Sequence, residues 1–360
     1  MFKEIEVDHR QWSGASATEL GYGGFEDSTK LHTYTNSDES THGVLVIDGR
    51  KGEGGRTILK STSLNYRIDP MLVRQETILA NKLGARIAVA ELPGVSGLPL
   101  DAQGNTDFTI DIDQKIESVF QSRKEMSDVR HGKFDLLAKK QLDSLIDILK
   151  LSPHDSVEFH GHSLGAMIAT TMARVAVNQQ AFIPLTIDRI HLDDPANISR
   201  LSVYDVAQKI NSNRTESKRR NEVYLRENEL IGHGDITAFE RQSKQADDVD
   251  RYIKSKQRKA VLNSAQALTK GIDGIIDDVI IEGLRNGSIS NETVISTAHY
   301  RDSLISNMDD IKNLSAYATA KGVRSEIIEY SPAGDDPTML GHHTPTSLGR
   351  AASIAINTPR

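Results

Sequence analysis

The pentapeptide Gly161-His162-Ser163-Leu164-Gly165 constrains this chain more than any other stretch, because of what flanks it. Ser156-Val157-Glu158-Phe159-His160 before it is short and β-prone, and Ala166 to Ala173 after it suits a helix packed closely on a sheet. A G-x-S-x-G pattern between strand and helix forms an elbow that lifts a serine Oγ above the end of a sheet. Such a turn strains the backbone at the serine. Side chains beside it would clash where strand and helix nearly touch, so the two glycines have a steric role. Ser163 is the candidate nucleophile.

The surrounding pattern fits that reading. Phe2–Val7 and Lys30–Thr35 alternate as early strands, and the apolar run Gly43–Gly49 reads as a strand buried on both faces. Leu72–Leu83 has helical spacing and stops at Gly84, before Ala85–Gly94, a second buried strand running into a turn. Phe134–Leu151 is amphipathic, with Leu142, Leu145, Ile146 and Leu149 on one face, and Ser152-Pro153 ends it. Beyond the elbow helix, Ile187–Leu192 reads as a strand. Strands alternating with helices predict an α/β fold, a mostly parallel central sheet with helices on both faces.

The alternation breaks from Ser199 to Asn291, a charged and helical stretch, and then resumes. Glu292–Thr297 and Val323–Tyr330 read as strands, and Asp309–Lys321 and Pro345–Ile356 as helices. The expected organisation is therefore a core in two parts, 1–198 and 292–360, with 199–291 inserted as a helical cap.

Composition narrows the chemistry. Among 360 residues there is no cysteine, which excludes disulfides, thiolate metal sites and a cysteine nucleophile. A net charge of −7 provides no basic field for nucleic acid. No apolar run approaches a membrane span, and the first residues lack the basic and apolar regions of a secretory signal, so a cytoplasmic location is expected. Two motif lookalikes are set aside. Gly49 to Thr57 is glycine-rich after a strand, but aligning its end on a phosphate-binding loop puts Arg56 in the lysine place and Arg50 where the first glycine belongs. Asp101–Asp107 lacks the spacing and closing glutamate of a calcium loop and reads as a polar surface loop.

A serine hydroxyl becomes a useful nucleophile only when a histidine takes its proton and an acid orients that imidazole. Val294 to Asp302 is a strand running to an aspartate, and a polar loop after Tyr330 carries Gly341-His342-His343. Asp193 and Asp194, ending the strand before, compete with Asp302 for the acid. His342, preceded by glycine, is preferred over His343 as the base. His160 and His162 flank the elbow and read as packing or pocket residues, and His299 as structural.

With these residues in hand, the chain from about Gly43 to Ile356 resembles the α/β-hydrolase superfamily with a helical cap. Val44–Gly49 with its glycine-rich loop, Ile87–Gly94, the elbow at Ser163 and the Asp302…His342 pair carry the resemblance. It implies a serine hydrolase acting through an acyl-enzyme on a small acyl substrate, an ester or thioester, with an amide as a further option. It also implies an oxyanion hole built from the Leu164 N–H and the Gly49–Arg50 loop, with no metal or organic cofactor. Asp48 stands where many relatives carry histidine before that loop glycine. The same triad also serves lyases, acyltransferases and cofactor-free perhydrolases, and the same scaffold serves non-catalytic binding proteins.

Overall fold

The computed structural model describes residues 5–6, 29–35, 41–49, 55–61, 76–77, 79–81, 83–90, 127–128, 131–178, 183–209, 212, 266, 268–300 and 306–330. Their strands form one nine-stranded sheet. In chain order these are β1 (Ile5–Glu6), β2 (Thr29–Thr35), β3 (Thr41–Asp48), β4 (Thr57–Ser61) and β5 (Arg86–Ala90). They are followed by β6 (Ser156–His162), β7 (Thr186–Asp193), β8 (Val294–Tyr300) and β9 (Arg324–Tyr330). Across the sheet the order is β1-β2-β3-β5-β4-β6-β7-β8-β9. From β5 to β9 every pairing is parallel, whereas β3 is antiparallel to β5 and β2 to β3. This is the expected α/β architecture, a mostly parallel sheet with helices on both faces.

The strand expected to be buried on both faces is so. Along β3, Val44 and Val46 join one apolar cluster while Leu45 and Ile47 join the other. The first cluster lies under four helices: α1 (Asp135–Leu149), α2 (Leu164–Asn178), α3 (Asp273–Asn286) and α4 (Met308–Ala320). Helical residues around Leu79, Ala80 and Leu83 cover the second cluster. Helix α2 is the keystone, packing on β4, β6 and β7 and flanked by α1 and α3. Its buried Thr170 and Thr171 hydroxyls donate to the carbonyls of Ala166 and Met167, each at 2.7 Å, which satisfies them inside the helix.

Two features differ from the sequence reading. The sequence pattern predicts no strand after the glycine-rich stretch Gly49–Thr57, yet β4 lies centrally between β5 and β6. Its Lys60 is tolerated there because Glu76 meets it at 2.5 Å in a buried ion pair. Second, the stretch assigned to the insertion ends in α3, whose Ile276, Val279 and Ile280 are fully buried and whose helix packs on α2. Within the rest of that stretch the described residues include a short helix over 203–209. The final helix expected at Pro345–Ile356 lies outside the described residues.

Candidate active site

Strand β6 ends at His162 and helix α2 begins at Leu164, so the whole change of direction falls on Ser163. Its φ is +56°, a left-handed conformation that costs a non-glycine residue on the order of 1–3 kcal/mol. The surrounding contacts hold it there. Ser163 N–H donates to the Asp193 carbonyl at the end of β7, and Ala166 N–H donates to the Ser163 carbonyl, both at 3.0 Å. A Cβ at Gly161 would lie 2.6 Å from Ala166 Cα and closer still to the Gly165 carbonyl oxygen. Only glycine allows strand and helix to approach so closely. The elbow expected from the pentapeptide is therefore present in geometry as well as in pattern.

Leu164 is the first residue of α2, where a backbone N–H has no acceptor within the helix and the helix dipole presents positive potential. Its side chain is buried in the core, which fixes that amide beside the serine. An anionic oxygen forming next to Ser163 Oγ would meet this donor.

The second donor needs correction. Because β3 runs antiparallel to β5, its end at Asp48 pairs with Arg86 at the start of β5, at the opposite edge of the sheet from the elbow. Gly49 N–H is already donated to the Ala85 carbonyl at 3.0 Å, and Asp48 is paired with Arg86 at 2.5 Å. Gly49 is thus not an oxyanion donor, since its N–H is already taken at the edge opposite the elbow. Arg50 itself lies outside the described residues. The strand beside the elbow is the unforeseen β4, whose Ser61 pairs with Gly161.

Asp193 and Asp194 sit at the end of β7. Asp193 supplies its carbonyl to Ser163 N–H, and its side chain lies on the same sheet face as His162, its partner in register. Asp194 is fully buried with φ +43°, and its N–H donates to the Ala298 carbonyl of β8 at 2.8 Å. Its carboxylate accepts a hydrogen bond from Ser306, whose hydroxyl oxygen lies 2.6 Å from His299 Nδ1. Asp302, His342 and His343 lie outside the described residues.

His160 is a packing residue, but in polar company. Along one face of the sheet Glu158 receives Arg56 at 2.6 and 3.0 Å and His160 Nε2 at 2.9 Å. Arg189 lies 3.9 Å from Glu158 and bonds Glu326 at 2.9 Å, and the His160 and His191 rings are 4.9 Å apart. Burial pushes the Glu158 carboxyl up, but the hydrogen bonds from His160 and Arg56 outweigh it and hold it well below the usual carboxylate range. Burial lowers the pKa of both histidines despite the nearby Glu158, so His160 donates to Glu158 as a neutral ring. Arg56, the residue in the lysine place of the phosphate-loop lookalike, is committed to Glu158.

Among the described residues no cluster of three or more His, Asp or Glu side chains could hold a metal ion. No helix among them is long and apolar enough to cross a membrane.

No protein-family model matches the sequence, and no curated protein matches it. Solved structures with a similar chain path include a carboxylesterase from the ammonia-oxidizing thaumarchaeon Nitrososphaera gargenis, at 14% identity over 84% of this chain and 90% of that one, with a TM-score of 0.43. A hyperthermophilic esterase from the archaeon Pyrobaculum calidifontis matches at 14% identity over 94% and 88%, with a TM-score of 0.43. A soluble variant of monoglyceride lipase from Saccharomyces cerevisiae matches at 12% identity over 91% and 94%, with a TM-score of 0.41.

Proposed function

We propose that this chain is a serine hydrolase of the α/β-hydrolase type, cleaving an ester or thioester of a small acyl substrate through an acyl-enzyme. The observation that carries this reading is Ser163, strained at φ +56° on a strand-to-helix turn at the C-terminal edge of a parallel sheet. Ser163 Oγ attacks the carbonyl carbon. His342, or its neighbour His343, takes the serine proton and returns it to the leaving group, and Asp302 orients that imidazole. Water then attacks the acyl-enzyme with the same histidine as base. The Leu164 N–H holds the developing oxyanion, joined by a backbone N–H from the segment after Ser61, the strand end beside the elbow. The charged helical stretch after Ser199 forms the cap over the pocket.

One observation favours a second reading of the acid. Asp194 is a fully buried carboxylate, in a strained conformation, at the end of the strand next to the elbow. Comparing Asp302→Asn with Asp194→Asn separates the two, since the triad acid costs roughly 10⁴ in turnover when so changed. The hydrolase reading itself is tested by a panel of esters and thioesters of varied chain length, given to wild type and Ser163→Ala. Turnover lost in the variant supports it. Turnover kept in the variant overturns it. Product analysis with water and competing acceptors separates hydrolysis from lyase, acyltransferase and perhydrolase outcomes.

A further inference from the structure

His299, Ser306 and Asp194 form a buried hydrogen-bonded chain whose polarity can be read from proton counts. Ser306 has a single hydroxyl proton, and a carboxylate at Asp194 can only accept, so that proton goes to Asp194 Oδ1. The Ser306 oxygen then accepts from His299 Nδ1, at 2.6 Å. The chain therefore runs from His299 Nδ1–H to Ser306 Oγ–H to Asp194, and leaves His299 Nε2 as the ring's remaining nitrogen. All three residues are buried.

The placement of the three is more telling than their chemistry. His299 is the penultimate residue of β8, and Ser306 stands just before α4, so their bond closes the neck of the connection 301–305. On one side of that neck, Asp194 N–H is tied to the Ala298 carbonyl at 2.8 Å. On the other, the Asn307 side chain caps α4 by accepting from Asp309 N–H at 2.9 Å. Asp193, the residue before Asp194, holds the Ser163 amide. One strand end thus links the elbow to both ends of the connection that carries Asp302 in sequence. Asp194 also has Lys209 near enough for its charge to act on that amine, as does Asp310.

We propose that Asp194, Ser306 and His299 are positioning residues: they pin the neck of the 301–305 connection in register with the elbow and thereby set the acid of the triad. This rests on the hydrolase reading above with Asp302 as acid. It gives Asp194 a role distinct from that of the acid itself and explains a buried, strained carboxylate that the triad does not use.

The test combines kinetics with a readout independent of activity. Ser306→Ala should lower kcat by about 10- to 100-fold with KM changed less than about 3-fold, because a misplaced catalytic group costs turnover rather than binding. Ser306→Thr keeps the hydroxyl and should recover most of that loss. Asp194→Asn should fall in the same range as Ser306→Ala, well short of the roughly 10⁴ expected for Asp302→Asn. Side-chain ¹⁵N NMR of the wild-type protein should show His299 protonated at Nδ1, and that assignment should be lost in Ser306→Ala. Full activity in Ser306→Ala, equal losses in the Ala and Thr variants, or an Nε2-protonated His299 would overturn the proposal. So would a loss near 10⁴ in Asp194→Asn with Asp302→Asn nearly active, which would make Asp194 the acid. If wild-type turnover does not depend on Ser163, the hydrolase reading falls and this proposal with it. If turnover depends on Ser163 but not on Ser306, only this proposal falls.

Discussion

The two faces of the central strands are both buried and could hardly differ more. Under α1, α2 and α4 the sheet presents Leu59, Phe159, Ile190, Leu192 and Ile295, all fully buried and all apolar. One residue along the same strands, the opposite face presents Lys60, Glu158, His160, Arg189, His191 and Ser296, also buried. The first face stabilises through area removed from water and tolerates only loss of volume badly. On the second, charges are stripped of water, and their attraction roughly offsets that cost only while every partner is present. The difference teaches where the molecule is brittle. A single truncation weakens the apolar face in proportion to its size, whereas on the charged face it strands whatever was paired with it.

The largest effect that would break this comparison belongs to Glu158. Glu158→Met leaves Arg56 and Arg189 without their shared partner, and urea unfolding should show a loss of about 4 kcal/mol. A loss under about 1 kcal/mol would mean the charged face is not held by pairing. Its neighbour on the apolar face, Phe159→Ala, should cost about 3 kcal/mol by the same measurement, through the cavity left under the helices.

The pH dependence sharpens the contrast. Burial lowers the pKa of His160 and His191, so the folded protein refuses protons that the unfolded chain accepts below about pH 6.5. Stability therefore falls with falling pH, by up to about 1.4 kcal/mol per pH unit for each histidine. Glu158, held below the usual carboxylate range, acts in the same direction further down: its contribution is present above the unfolded pKa near 4.3 and is lost as pH falls toward its folded pKa. Thermal melts from pH 7 to pH 5 should show His191→Gln with a shallower slope than wild type and Phe159→Leu with the wild-type slope. Equal slopes in all three would remove the buried histidines from the account.

The smallest effect is expected from Lys60 and Glu76 changed together. Either single change to Met leaves a buried charge alone and should cost about 3 kcal/mol, but the double change should come within about 1 kcal/mol of wild type. A double variant no better than the singles would show that the pair contributes net stability.

Much of this architecture was legible in the chain, and the exceptions share one cause. The elbow could be read because its requirements are local: Gly161, Ser163 and Gly165 sit within five residues and each has a steric or chemical reason to be there. The strand at Gly43–Gly49 and the one beginning at Ala85 could be read from their apolar runs, Val44–Ile47 and Ile87–Ala90. Strand β4 could not, because Thr57-Ile58-Leu59-Lys60-Ser61 is short and ends in polar residues whose burial depends on Glu76 and on neighbouring strands. With β4 unread, an oxyanion donor is expected at Gly49, whose N–H is instead donated to Ala85 at the edge opposite the elbow. In the same way, the charged face is invisible to periodicity. Val157-Glu158-Phe159-His160 reads as half-exposed alternation, and only partners as distant as Arg56 and Arg189 make Glu158 a buried residue. Likewise, nothing local joins Asp194 to Ser306 across more than a hundred residues.

The central claim is that the strain and packing at the elbow present an activated nucleophile, and its most direct test is covalent labelling by a fluorophosphonate probe followed by peptide mass spectrometry. The account predicts one adduct per chain, on Ser163, absent from Ser163→Ala and from protein unfolded in denaturant. A native protein that takes no label, or takes it on another residue, would contradict it.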